Sequence, residues 1–281
     1  MIRTDRSHLY VAARSHPGMS GKNNEDNFAV SAYFVSKMNP TPSVFAIVSD
    51  GIGGHSAGEI ASELVVNLIS EAVEKREGGH PVAVFQNSFY RASEAIFAQA
   101  EQDPARKGMG ATAACAWVIG LQLYIAYAGD SRIYLIRGNS IQQLTRDHTW
   151  VQEALEKGII DNEGLKSHPN LHVIRRYLGS SEPPEPDLRL FLSPNDTDAR
   201  ARANQGMLLE PGDVILLCTD GLTDLVEAQE IRQALNGRTL AQTAEALIAL
   251  ANERGGHDNI TVVLLGVPPG NKREAIAWVP G

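Results

Sequence analysis

Four short β-rich runs follow one another with almost nothing between them, at residues 111–119, 121–128, 132–137 and 140–144. Their junctions are Gly120, Gly129 and Gly138-Asn139, too short to hold a crossover helix, so the runs must pair antiparallel. Before them come two helical patterns in succession. The first spans 56–77 with Ile60, Leu64, Val65, Leu68, Ile69 and Val73 on one face; the second spans 81–102 with Val84, Phe85, Phe89, Ala92, Ile96 and Phe97. Further strands are expected at 10–15, 27–35, 44–49, 187–192, 213–218 and 260–267. Shorter helices are expected at 149–157, at 161–166 before His168-Pro169, and at 239–254. Helices in pairs and strands in meanders exclude the alternation of a parallel sheet and predict a layered α+β fold, with helices outside antiparallel sheets. Residues 193–205 carry no large apolar side chain and read as an exposed loop.

At 281 residues and 43% hydrophobic, the chain can bury a large core without disulfides or structural metals. A net charge of −8 with no basic cluster excludes nucleic acid as the expected partner. Cys115 and Cys218 lie inside apolar runs and make no disulfide framework. No secretory leader opens the chain and no run approaches the roughly 20 apolar residues of a membrane span, so a cytoplasmic protein is expected. One domain is expected over 8–267, followed by a linker or tail at 268–281 rich in Pro and Gly.

Two of the apolar runs end alike, in Ser49-Asp50-Gly51 and Thr219-Asp220-Gly221. A carboxylate at the mouth of a core strand needs compensation, and two of them suggest a shared cation. A turn after each strand is the plainer alternative for either one alone. Two more acidic strand ends strengthen the case: Asp258 just before the last strand, and Glu25-Asp26 just before the second. With oxygen donors and no Cys or His cluster, the ions expected are Mg²⁺ or Mn²⁺. Two such ions about 3.5–4 Å apart suit hydrolysis of a phosphate ester.

The series Asn24-Glu25-Asp26, Asp50-Gly51-Ile52-Gly53-Gly54-His55, Gly129-Asp130-Ser131-Arg132, Thr219-Asp220-Gly221-Leu222-Thr223-Asp224 and His257-Asp258-Asn259-Ile260-Thr261 resembles the metal-dependent protein serine/threonine phosphatases of type 2C, in their compact bacterial form. The resemblance runs from about residue 8 to 267. It implies a four-layer α-β-β-α sandwich, two central antiparallel sheets flanked by helices, with a dinuclear metal centre at one end. By position it makes Asp50 the bridge between two ions and lets Asp220 and Asp258 complete the first. Glu25 and the carbonyl of Gly51 serve the second, and Asp26 stands behind them holding water. A third ion would fall to Asp130, Asp220 and Asp224, although Asp130 also reads as a turn acid. His55 would protonate the departing alkoxide, a task suited to its ordinary pKa, and helix entry is its alternative. His148 is expected to be structural, between the capping residues Asp147 and Thr149. The resemblance further implies phosphorylated proteins, substrates of a Ser/Thr kinase, as partners, met by a monomer.

One position departs from the family. Where an arginine commonly grips the substrate phosphate, this chain has Gly21 followed by Lys22. A lysine supplies charge without the bidentate geometry. Lys22, Arg14 and Arg175-Arg176 are the candidate replacements, with His168 as a further substrate contact. The departure leaves open a phosphoprotein-binding or regulatory module with little turnover. A phosphatase of small phosphate esters is a third reading, because the motifs mark the phosphoryl chemistry and not the leaving group.

Overall fold

The computed structural model describes residues 1–53, 57–75, 79–161 and 168–269, together with the backbone of 276–277. In chain order the first strands are β1 (Ile2–Thr4), β2 (Arg6–Ser7), β3 (Tyr10–His16), β4 (Asn27–Phe34), β5 (Pro42–Ser49) and β6 (Gly51–Ile52). Two long helices follow, α1 (Ala57–Lys75) and α2 (Pro81–Gln102). Next are β7 (Gly110–Ala111), β8 (Ala113–Ile119), β9 (Gln122–Ala128), β10 (Arg132–Arg137), β11 (Ser140–Gln143) and the helix α3 (Trp150–Glu156). The last strands are β12 (Met207–Leu208), β13 (Val214–Cys218), β14 (Ile260–Gly266) and β15 (Ile276–Ala277).

Two large sheets result. One has the order β1-β4-β5-β8-β9-β12 and the other β11-β10-β13-β14-β3, and every pairing in both is antiparallel. Alternation along β5 shows why the layers stack. Val44, Ala46 and Val48 face the other sheet, meeting Ile133, Leu217 and Val263. Phe45 and Ile47 point outward to Val65 and Ile69 of α1 and Phe85 and Phe89 of α2. Buried on both faces, β5 is therefore apolar without a break from Val44 to Val48. The five-stranded sheet covers its outer face with the helix Leu240–Glu253, through Leu247 and Ile248 against Leu216 and Leu264. Helix, sheet, sheet and helix make four layers.

Several expectations need correction. The strand expected at 187–192 is reduced to a single bridge between Tyr127 and Asp187. Its later amides leave the ladder, Leu190 bonding to the carbonyl of Ala201 and Phe191 to that of Leu144. The loop expected at 193–205 contains the helix Asp198–Ala203, capped by the Thr197 hydroxyl, with Ala201 fully buried. An alanine is the whole apolar face of that helix, so hydropathy gave no sign of it. Thr149 does cap α3, whereas Asp147 caps nothing and pairs with Arg132 at 2.6 Å. Two short helices, Asp220–Thr223 and Ala228–Ala234, were not anticipated. Most of the helix expected at 161–166 lies outside the described residues, as do the ends of the first long helix at 56 and 76–77. Within the tail expected from 268 onward, Ile276–Ala277 pairs antiparallel with β2.

Candidate metal centre

Register brings the acids to one rim. β4 and β5 pair with Asn27 opposite Ser49, so Asp26 and Asp50, one residue beyond each, lie together. In the other sheet Cys218 stands opposite both Arg132 and Val262. The end of β13 at Asp220 thus lies beside the starts of β10 and β14, where Asp130 and Asp258 precede the strands. In antiparallel sheets the end of one strand is the beginning of its neighbour, and both sheets open their acidic ends in the same place.

The glycine after each aspartate has a packing role. A side chain at Gly51 would strike the Gly58 carbonyl of α1 at 2.2 Å, and one at Gly221 would strike the Asn259 carbonyl at 2.0 Å. Backbone meets backbone at both sites, which holds the two strand ends close to their neighbours.

A layer of hydroxyl and amide groups supports the acids from behind. The Thr219 hydroxyl donates to Asp26 Oδ2 at 2.8 Å, and the Thr261 amide donates to the Thr219 hydroxyl. The Asp50 amide donates to Thr112 Oγ1, which also meets the Ser131 hydroxyl at 2.7 Å. Asn259 accepts from the Glu25 amide at 2.7 Å and donates to the carbonyls of Pro17 and Asn23. Thr112, between β7 and β8, and Thr261, in β14, were given no supporting role from the sequence because threonine is an ordinary β-former.

Electrostatically the rim is unfinished. Burial, with the charges of Asp220 and Asp258 adding, pushes Asp26 up to about 7 against its bonds to Thr261 and Thr219. Asp220 is pushed up to about 6 by burial and then by Asp224 and Asp258. Burial raises Asp50 and Asp130 well above the carboxylate range, reinforced in both by Asp220. Asp26 Oδ1, Asp130 Oδ1 and Asp220 Oδ1 are buried without a hydrogen-bond partner. Buried polar atoms are nearly always satisfied, and three such oxygens among crowded carboxylates fit a hard cation with oxygen ligands.

A cleft of about 580 Å³ is lined by Lys22, Asn23, Glu25, Asp50, Gly51, Gly53, Asp258 and Asn259. A second cavity, of about 120 Å³, is lined by residues including Asp130, Asp220, Asp224 and His172. Of the candidate phosphate holders, Lys22 reaches the cleft. Arg14 does not: it pairs with Glu245 at 3.2 Å and bonds to the Ala13 carbonyl. Nor does His168, whose ring stacks on Trp150 with centroids 4.6 Å apart. Arg175 and Arg176 line a separate polar cavity with Arg146 and Arg189. His55 lies outside the described residues. His148 is buried, accepting from the Gly129 amide and meeting Asp187 at 3.2 Å, so its role is structural. Two histidines given no role from the sequence stand 3.5 and 3.8 Å from Asp224: His172, which no spacing signal marks, and His257, which opens the His257-Asp258-Asn259 motif.

Two antiparallel sheets between helices, with oxygen donors gathered at one rim, define a sandwich of the class built around hard cations. The model of the family "Protein phosphatase 2C" matches residues 18–173, more than half of the chain. The chain belongs to the protein phosphatase 2C family. It is 36% identical over 259 residues to the serine/threonine protein phosphatase PstP of Mycobacterium tuberculosis, covering 92% of this chain and 45% of that one. The chain thus spans about half the length of that relative. It is 34% identical over 262 residues to the serine/threonine phosphatase stp of Listeria monocytogenes, covering 92% of this chain and 95% of that one. A solved structure of the catalytic domain of PstP in complex with two manganese ions superposes with a TM-score of 0.74 at 34% identity, covering 92% of this chain and 97% of that one.

Proposed function

We propose that this chain is a metal-dependent phosphatase that hydrolyses phosphoserine and phosphothreonine in proteins. The observation that carries the reading is the set of buried, unpartnered carboxylate oxygens of Asp26, Asp130 and Asp220 at one rim. The names of its relatives and the manganese in the PstP structure support it.

Mn²⁺ or Mg²⁺ at the rim would neutralise charge on the phosphoryl oxygens and make water acidic enough to attack phosphorus near neutral pH. In this reading Asp50, Asp220 and Asp258 would hold one ion, and Asp50, Glu25 and the Gly51 carbonyl would hold the other. Asp26 is held behind them by Thr219 and orients the attacking water. Lys22, exposed on the wall of the cleft, attracts and holds the phosphate as a point charge. His55 donates the proton that the departing serine or threonine oxygen requires. The substrates would be proteins phosphorylated by a Ser/Thr kinase in the cytoplasm.

Hydrolysis of an aryl phosphate and of a phosphothreonine peptide, each with and without EDTA, tests the proposal. Both rates should collapse on chelation and return with Mn²⁺. Activity that survives thorough chelation removes the metal mechanism. Turnover of the aryl phosphate without the peptide points instead to small esters.

A further inference from the structure

We propose that His172 is a ligand of a cation held by Asp220 and Asp224, so that this position has an imidazole nitrogen among its carboxylate oxygens. The inference rests on reading the rim acids as a metal centre. One ligand atom from each of His172, Asp220 and Asp224 lies within 4.8 Å of the others. Two donors each about 2.1 Å from one ion stand about 3–4 Å apart, so a small movement of the exposed histidine closes the set. His172 Nδ1 is 3.5 Å from Asp224 Oδ2, long for a hydrogen bond and fitting for two ligands of one ion.

A second observation points to the same ion. Asp130 is 5% exposed, its Oδ1 is buried without a partner, and it lines the same cavity of about 120 Å³. That space accommodates an ion and a few waters. The nearby cation Arg132 acts on Asp130 and Asp224 only through its charge, because three bonds of 2.6–3.0 Å commit its guanidinium to Asp147. His257 Nε2, 3.8 Å from the same Asp224 oxygen, flanks the site from the loop that leads into β14, in the same sheet as β13.

His172 is delivered by a tethered turn. The Leu171 amide donates to the His168 carbonyl, the Trp150 amide to the Val173 carbonyl and the Arg175 amide to the His148 carbonyl. The turn is thereby tied to the start of α3. A site of mixed nitrogen and oxygen donors favours Mn²⁺ or Zn²⁺ over Mg²⁺, whereas the all-oxygen positions of the rim make no such distinction.

The test titrates the full chain with Mn²⁺, counts ions by electron paramagnetic resonance and looks for ¹⁴N coupling by electron spin echo. Expected are a third, weakest Mn²⁺ and a directly bonded nitrogen. In His172→Ala the coupling should vanish and the weakest Mn²⁺ site should lose about tenfold or more in affinity, while Mg²⁺ binding changes less than about twofold. His172→Gln should likewise lose the coupling, and His257→Ala should keep it. Coupling that persists in His172→Ala, or a wild type that binds only two Mn²⁺, overturns the assignment and leaves the metal centre standing. A wild type that binds no Mn²⁺ overturns both.

Discussion

Buried aspartates receive opposite treatment in two parts of this molecule. Away from the rim, Asp187 is enclosed and answered: Arg189 donates from Nε at 2.9 Å and Nη2 at 2.5 Å, and His148 lies at 3.2 Å. Burial alone would raise its pKa, but the bonds from His148 and Arg189 hold it well below the usual range. Asp213 is matched in the same way by Arg137, at 2.9 and 2.7 Å. At the rim Asp26 and Asp130 are as enclosed as Asp187, Asp50 and Asp220 are half-buried, and all four rise. Arg132, close enough to line their cavity, is spent on Asp147. The fold bonds its own cations directly to structural acids, whereas among the described residues it gives Asp26, Asp50, Asp130 and Asp220 no ion pair and only the more distant charge of groups such as Arg132, which leaves most of that charge to an exchangeable ion.

The widest separation of the two regions should come from neutralising one acid in each. Asp50→Asn should lower turnover by about 10³-fold or more, because the group between the two ion positions is lost. It should also make the metal-free protein more stable, by relieving repulsion. Asp187→Asn should do the reverse, weakening the fold by about 3–5 kcal/mol through an Arg189 left without its charge partner. Phosphatase assays and urea unfolding of the EDTA-treated proteins check both. A metal-free Asp50→Asn protein that is less stable than the parent would break the comparison.

The pH dependence of stability separates the regions next. Asp26 and Asp220 stand at about 7 and 6 in the folded chain, above their ordinary 3.8. The folded state therefore keeps protons that the unfolded chain releases. The stability this contributes is complete below about pH 4 and is lost as pH rises through 6 and 7. Asp187, depressed, loses its contribution only in strong acid. Between pH 5 and 8 the metal-free protein should consequently fall in Tm by on the order of 5 °C, and saturating Mn²⁺ should abolish the slope. A flat profile without metal would mean that the rim acids are answered by the protein after all.

Much of the rim was legible in the sequence because it follows from strand order. Acids at the ends of apolar runs meet wherever antiparallel pairing aligns those ends, so Asp50 and Asp220 could be singled out before their partners were seen. The long helices and the core alternation of β5 were equally readable, each being a continuous periodic pattern. What was hidden depends on contacts across the fold. His172 and His257 meet Asp224 from segments 85 residues apart in number; nothing local marks His172, and the motif that His257 opens does not point to Asp224. The diversion of 187–192 from its ladder required knowing that Asp187 faces His148 and Arg189. Arg14 looked eligible by its charge, but its alternating position on β3 carries it to Glu245 on the outer helix.

The smallest effects concern the phosphate grip, where the rim meets solvent. Lys22→Ala should raise KM by about three- to tenfold with kcat largely kept, as expected for an exposed charge that binds ground and transition states alike. Arg14→Ala should leave KM unchanged and cost under about 1 kcal/mol of stability, the usual worth of a surface pair. Gly21→Arg sharpens the contrast. Nothing lies within 4 Å of where its side chain would begin, but φ is +73°, so a costs-and-gains balance is set between about 1–2 kcal/mol of backbone strain and a bidentate hold on phosphate. If the guanidinium reaches the cleft, KM should fall although Tm drops, and in the Lys22→Ala background the gain in KM should be larger. A Gly21→Arg protein with lowered Tm and unchanged KM would show that the loop does not aim this position at the acids, and that Lys22 holds the phosphate from a different direction.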